Sequence, residues 1–193
     1  MRIILASKSP RRREILENLG VNFEIIVADC DESCDITAPD ELVMTIASRK
    51  GRAVLDTLGK ESEDVLIIAC DTLVYADGEF LGKPKDACDA RRMLKMLSGN
   101  AHQVVSGIYL CFNGKEMRRA ASTRVIFDEM TDEDIDAYIQ SGEPMDKAGA
   151  YAVQGRASVY IKGLDGDYFN VVGLPVNLLA KTLKESYGID LVV

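Results

Sequence analysis

Hydrophobic residues fall along this chain in two textures, short unbroken runs and stripes that return every three to four positions. The runs at 3–6 and 65–75 predict buried strands, and 23–28, 103–112 and 115–127 predict three more. Stripes predict amphipathic helices over 10–20 (Ile15, Leu16, Leu19), 39–59 (Leu42, Val43, Ile46, Ala47, Ala53, Val54) and 175–188 (Val176, Leu179, Ala180, Leu183). Caps predict two further helices. Asp86 opens one to about Leu97, and Thr131, with Asp134 in the reciprocal position, opens another through Ile139. Asp77-Gly78 and Asn113-Gly114 carry the chemistry of two-residue hairpin turns, and residues 165–170 form another tight turn. Strands and helices interleaved in this way predict an α/β fold. No repeat, low-complexity tract or linker divides residues 1–193, which are taken as a single domain.

The informative positions are those where charge interrupts these patterns. After the strand at 3–6, Ser9 suits an N-cap and Pro10 the first helical position. Arg11, Arg12 and Arg13 then crowd the first turn, where each cation opposes the helix dipole by roughly 0.3–1 kcal/mol unless an anion sits among them. A polyphosphate is such an anion; a solvated basic turn is the plainer alternative. Lys50 falls inside the stripe of the second long helix, so its stem lies on the buried face and its ammonium needs water or a counter-charge. Gly51 beside it is unfavourable in a helix by roughly 0.5–1 kcal/mol. Asp71 interrupts the most apolar run of the chain. A carboxylate there is costly unless paired, metal-bound or at the strand's mouth, and the strand end is the expected place. The hairpin that follows returns Gly82-Lys83, so Lys83 is expected near whatever Asp71 faces. Upstream, Asp29, Asp31, Glu32 and Asp35 make an acidic loop, tolerable in solvent and favourable beside a metal ion or arginines. Residues 143–155 form a loop dense in charged and small residues, a composition suited to moving or binding.

A formal net charge of -8 argues against diffuse binding to nucleic acid or anionic membrane. No apolar run approaches the roughly 20 residues of a membrane span, and the Arg-rich start lacks the features of a signal peptide, so a cytoplasmic location is expected. Five cysteines, odd in number and unevenly spaced, and a single histidine do not suit a zinc site. Cys30 and Cys34 are either free thiols in a reducing compartment or a redox pair.

Collected, the cations Arg11, Arg12, Lys50 and Lys83 and the acids Glu32, Asp71 and Asp146 suit a nucleotide polyphosphate with a divalent ion. Cations take phosphate oxygens, carboxylates hold the metal, and one carboxylate takes a proton from the attacking water. Neither a P-loop nor a Gly-x-Gly-x-x-Gly motif is present. A haloacid dehalogenase phosphatase would need a second Asp two residues after Asp71, where Leu73 stands.

Four stretches together resemble one family. Ala6-Ser7-Lys8-Ser9-Pro10-Arg11-Arg12, Asp71-Thr72-Leu73-Val74 through Leu81-Gly82-Lys83-Pro84-Lys85-Asp86, Glu143-Pro144-Met145-Asp146-Lys147-Ala148-Gly149-Ala150-Tyr151 to Gln154-Gly155, and the 166–175 segment are similar in order and content to the Maf nucleoside triphosphate pyrophosphatases. The resemblance implies an elongated mixed β-sheet flanked by helices, two lobes with a central cleft, as in inosine triphosphate pyrophosphatases. It implies hydrolysis of a nucleoside triphosphate to monophosphate and pyrophosphate with a divalent cation, Mg2+, Mn2+ or Co2+, and a homodimer as an assembly. Asp71, Glu32, Lys50 and Lys83 would be catalytic, with Asp71 and Glu32 on the metal. Ser7, Arg11, Arg12, Thr72, Asp146, Lys147 and Gln154 would bind substrate. Arg11, Thr72 and Gln154 fall where the family distinguishes bases, and match the subgroup acting on dTTP and UTP. Two alternatives stay open, a 7-methyl-GTP pyrophosphatase and a nucleotide-binding regulator of septum formation with little turnover. Gly51 stands where alanine is expected and Ser106 where threonine is more usual.

Overall fold

Strands β1 (Arg2–Leu5), β2 (Glu24–Ile25), β3 (Val65–Ala76), β4 (Glu79–Leu81), β5 (Ala101–Phe112), β6 (Lys115–Phe127) and β7 (Ile161–Asp165) join in one sheet of the computed structural model. It describes residues 1–191, the side chains of Lys60 and Glu61 aside. The order is β2-β1-β3-β5-β6-β7, with β4 paired to β3. The sheet is mixed: β1 runs parallel to both β2 and β3, while β3–β4 and β6–β7 are antiparallel. The helices are α1 (Pro10–Asn18), α2 (Pro39–Leu58), α3 (Ala87–Leu97), α4 (Asp132–Gln140), α5 (Tyr168–Val172) and α6 (Val176–Tyr187).

The expected caps and turns are in place. Pro10 opens α1 after Ser9, although Ser9 makes no side-chain cap bond. Asp86 accepts from the Asp89 amide at the start of α3, and Thr131 and Asp134 complete the capping box of α4. Asp77 (φ 48°) and Gly78 (φ 80°) turn β3 into β4, and Asn113 (φ 48°) and Gly114 (φ 76°) turn β5 into β6, both with the two positive φ values of a type I′ turn.

The described residues sort into two compact units, neither a continuous stretch of sequence. One comprises residues 1–71, 106–121 and 173–193; the other comprises 72–105 and 122–172. In the first unit Ile4, Ala6, Ile67 and Ala69 pack with Ala47 and Val54 of α2 and with Tyr109 and Cys111 of β5. β3 is buried on both faces from Val65 to Cys70, which explains its unbroken apolar run. The core of the second unit gathers Val74, Leu81, Met93, Leu94, Phe127, Ile135 and Tyr151.

Three expectations need correction. The strand expected over 23–28 is only Glu24–Ile25, and its side chains are exposed. α5 starts inside the turn expected at 165–170, and β7, for which no element was expected, runs into it. Asp71 is not at a strand mouth: β3 continues to Ala76, and the backbone passes from one unit to the other between Asp71 and Thr72.

Candidate active site

In the first unit, α2 and β3 carry opposite charges to one point. Lys50 Nζ lies 2.7 Å from Asp71 Oδ1 and 3.0 Å from Glu32 Oε2. Both Lys50 and Asp71 are mostly buried, with side-chain exposures of 21% and 15%. Burial works against the ammonium, but Asp71 and Glu32 outweigh it and hold the Lys50 pKa above the ordinary lysine value. Lys50 is therefore a fixed cation at neutral pH, and its counter-charges are two of the three acids singled out from the sequence.

Gly51 is explained by the neighbouring strand. A Cβ there would overlap the Tyr109 ring, so glycine lets β5 pack directly on α2 beside Lys50. The residue that looked like a weakness in the helix is a packing requirement of the site.

Beside this cluster, the β1–α1 turn is tied down by Arg12. Its Nε donates to Gly173 O at 2.8 Å, and its Nη1 donates to Cys70 O at 2.7 Å and Ser7 Oγ at 3.0 Å. Gly173 has φ 127°, a conformation glycine adopts readily. Ser7 Oγ also accepts from the Ser9 amide at 3.2 Å. Arg13 pairs with Glu17 one helical turn on. The repulsion expected of three arginines in one turn is thus relieved in part by carbonyls and a carboxylate of the chain itself. Arg11 is half-buried in the same turn.

The second unit holds the remaining candidates. Thr72 follows Asp71 on β3, and Lys83 is exposed on the segment after β4. Asp146 closes the 3-10 turn Glu143–Asp146 and pairs with Lys147 just after it, and Gln154 lies in a turn between the 3-10 segments Ala148–Ala150 and Arg156–Tyr160. The Gly149 amide donates to Gly82 O at 3.0 Å, and Gly149 (φ 68°) would bring a Cβ to 2.8 Å from Val74 Cγ2. Further on, the Glu143 carboxylate accepts from Tyr138 Oη at 2.9 Å and from the Arg156 amide at 2.9 and 3.2 Å. Tyr138 Oη in turn accepts from the Ala152 amide at 3.3 Å, and any side chain at Gly155 would collide with Glu143. Tyr151 is buried and its hydroxyl lies 2.8 Å from His102 Nε2. Gln154 is left exposed at the tip of a backbone fixed on both sides.

The donor set suits a hard divalent ion only in part by itself. Among the described residues no group of three or more His, Cys, Asp or Glu side chains converges as a metal cage. Two carboxylates, Asp71 and Glu32, do meet at one place, and magnesium is commonly held by one or two carboxylates together with substrate phosphates and water. The site thus fits an ion that arrives with its substrate. All five cysteines are free in the structure.

The family model described as Maf-like protein matches residues 2–186. The chain belongs to this Maf-like family. Among curated relatives, the dTTP/UTP pyrophosphatase of Bacillus thuringiensis subsp. konkukian is 42% identical over 190 residues, covering 98% of this chain and 97% of that one. The dTTP/UTP pyrophosphatase of Bacillus cytotoxicus is 42% identical over 185 residues, covering 95% of each. Among solved structures, the Staphylococcus aureus Ham1 protein matches with a TM-score of 0.54 at 15% identity, over 96% of this chain and 99% of that one. That likeness concerns the fold alone.

Two residues of this Maf-like chain that sequence patterns did not reveal support the site. Arg49 Nη1 donates to Asp31 O at 2.9 Å and Ser33 O at 2.7 Å, gripping the backbone on either side of Glu32. Glu143 does the corresponding work for the loop that carries Gln154. Arg49 binds carbonyls 16 and 18 positions away and Glu143 an amide 13 positions away, and no periodicity reports such bonds.

Proposed function

We propose that this Maf-like protein is a nucleoside triphosphate pyrophosphatase, using dTTP and UTP, that releases the monophosphate and pyrophosphate within the cytoplasm. The convergence of Glu32 and Asp71 on the Lys50 ammonium carries the reading, and the names of its 42%-identical relatives support it. A divalent ion bound by Asp71 and Glu32 would supply Lewis-acid polarisation of the phosphate oxygens. Asp71 accepts a proton from the attacking water, and Lys50, held charged, binds phosphate oxygen while keeping Asp71 oriented. Arg11, Arg12 and Ser7 at the start of α1 bind further phosphate charge, and Lys83 is given a phosphate role on the family resemblance alone. Thr72, Gln154 and the Asp146–Lys147 turn read the base.

The test is the identity of the bond cleaved. With dTTP and Mg2+ the primary products are expected to be dTMP and pyrophosphate; dTDP with orthophosphate would refute the reading. A lead in kcat/KM for 7-methyl-GTP would move the chain to the other subgroup.

A further inference from the structure

Beyond the catalytic cluster, α2 and the β5–β6 hairpin enclose a pocket of about 270 Å³ inside the first unit. From α2 it is lined by the face of Ser48, Arg49 and Arg52, and from the hairpin by Tyr109, Glu116 and Arg118. Ser48 and Arg52 are each two positions from Lys50, which puts them on nearly the opposite side of the helix. Three guanidinium groups against one carboxylate give this lining a positive balance in a chain of net charge -8. Their present partners are exchangeable: Arg52 pairs with Glu116 at 2.7 Å and Arg118 with Glu41 at 3.6 Å, all partly exposed, and such exposed pairs contribute little to stability.

The second observation is at the pocket wall. Tyr109 is 1% exposed, and its hydroxyl makes no hydrogen bond of acceptable geometry although Glu116 and Cys111 lie near. Buried polar groups without a well-formed hydrogen bond are uncommon, and this one stands among Arg52, Glu116 and Cys111 at the basic lining. Burial first, then those two neighbours, push its pKa far above the ordinary range, so it stays a donor at any working pH.

We propose that this pocket binds a small phosphate-bearing anion, and that binding lowers turnover by drawing Arg49 away from the carbonyls of Asp31 and Ser33. Glu32 stands between those two carbonyls and pairs with Lys50, so the loop loses its hold where the catalytic cluster needs it. The volume lies just below the roughly 300–1,000 Å³ of typical ligand sites, which favours a small anion over an intact nucleoside triphosphate.

Two variants test the pocket without touching the proposed machinery. Tyr109→Phe removes only a buried hydroxyl that makes no well-formed hydrogen bond, and Arg118→Ala removes an exposed cation. Calorimetric titration with inorganic pyrophosphate and, separately, with dTMP is done on wild type, both variants and Lys50→Met, after thermal melts show each folded. Saturable binding of either probe that weakens at least tenfold in both pocket variants and survives in Lys50→Met supports the site, and the probe that binds identifies the source of the phosphate. No saturable binding, or binding lost only in Lys50→Met, overturns it. This half is independent of the pyrophosphatase reading. The second half rests on that reading: at fixed free Mg2+, the probe that binds should lower wild-type kcat at saturating dTTP, with the effect reduced at least fivefold in Tyr109→Phe and basal kcat within twofold of wild type. Inhibition fully relieved by excess dTTP would overturn the link through Arg49.

Discussion

Lys50 sits on a 20-residue helix with its ammonium 2.7 Å from Asp71 and 3.0 Å from Glu32, whereas Gln154 lies exposed on short turns whose backbone is held by Glu143, Tyr138 and His102-bound Tyr151. The first arrangement fixes a charge by burying it between counter-charges on regular elements. The second fixes only the backbone and leaves the side chain to solvent. Chemistry that must be the same for every nucleotide is suited to the first arrangement; discrimination between bases is suited to the second, because an exposed side chain can be replaced without unravelling its support. The difference implies that damage to the Lys50 region removes activity, while damage to the Gln154 region redistributes it.

The largest effect should come from Asp71→Asn, which keeps shape and removes charge. It is expected to lower kcat by at least about 10²-fold while far-UV circular dichroism stays unchanged. Lys50→Met should lower activity as severely, but also lower stability by about 1–3 kcal/mol, because Asp71 is left mostly buried and unpaired. Near-normal turnover in either variant would break the comparison at its stronger end.

Acid should act through the other unit. Burial holds the His102 pKa down to about 4 from 6.5. The folded state therefore binds fewer protons than the unfolded one between those values, so stability is complete above about pH 6.5 and falls as pH drops toward 4. The loss is roughly 3 kcal/mol if the full shift is realised. Lys50 titrates in the opposite sense: its raised pKa contributes stability below the ordinary lysine value of 10.5, lost only in more alkaline solution. Urea unfolding at pH 7.5 and 5, with His102→Gln as control, should show an acid loss in wild type that shrinks in the variant. An equal loss in both would remove His102 from the account.

Gly51→Ala comes next, expected to destabilise by about 1–3 kcal/mol through overpacking against Tyr109. A thermal melt measures it, and an unchanged or raised Tm would show that the ring yields.

The Lys50 region was legible before the structure because its signals are local. An acid inside the run 65–75 and a lysine inside the stripe of α2 conflict with their patterns, and such conflicts mark sites where something else must compensate. Hairpins at Asp77-Gly78 and Asn113-Gly114 and the capping box at Thr131 were legible for the same reason. What escaped is what depends on a distant partner. β7 pairs with β6 and has no fully buried residue, so its apolar pattern is faint. Asp71, inside a strand expected over 65–75, was placed at its end because a buried carboxylate is costly without a partner, and that partner, Lys50, lies on a different element. Gly51 was misjudged because helix propensity counts the helix alone, and its reason is a ring on β5. Arg49 and Glu143 bind backbone atoms 13 to 18 positions away, beyond any helical or strand periodicity, which leaves no trace in spacing.

The smallest effect expected is also the one that tests the exposed end of the comparison. Gln154, proposed above to read the base, presents an amide with donors and an acceptor that can pair with the carbonyl and N3–H edge of thymine or uracil. A polar site rejects a base that leaves its groups unpaired more strongly than an apolar pocket rejects an added methyl, which is worth only about 1–3 kcal/mol. dTTP and UTP are therefore expected to be used at similar efficiency. Gln154→Leu retains length and deletes the polar edge, while Glu143 continues to hold the backbone through Arg156 and Tyr138. It should leave kcat for dTTP within about tenfold and narrow the ratio of kcat/KM between dTTP and 7-methyl-GTP by a larger factor. Glu143→Gln removes the charge that receives the Arg156 amide and should shift the same ratio in the same direction, with a drop in Tm that Gln154→Leu does not show. Steady-state kinetics on dTTP, UTP, CTP and 7-methyl-GTP at one metal concentration measure all of these. If Gln154→Leu lowers kcat as far as Asp71→Asn while the base ratio stays fixed, Gln154 acts in the chemistry itself and the division between the two regions fails.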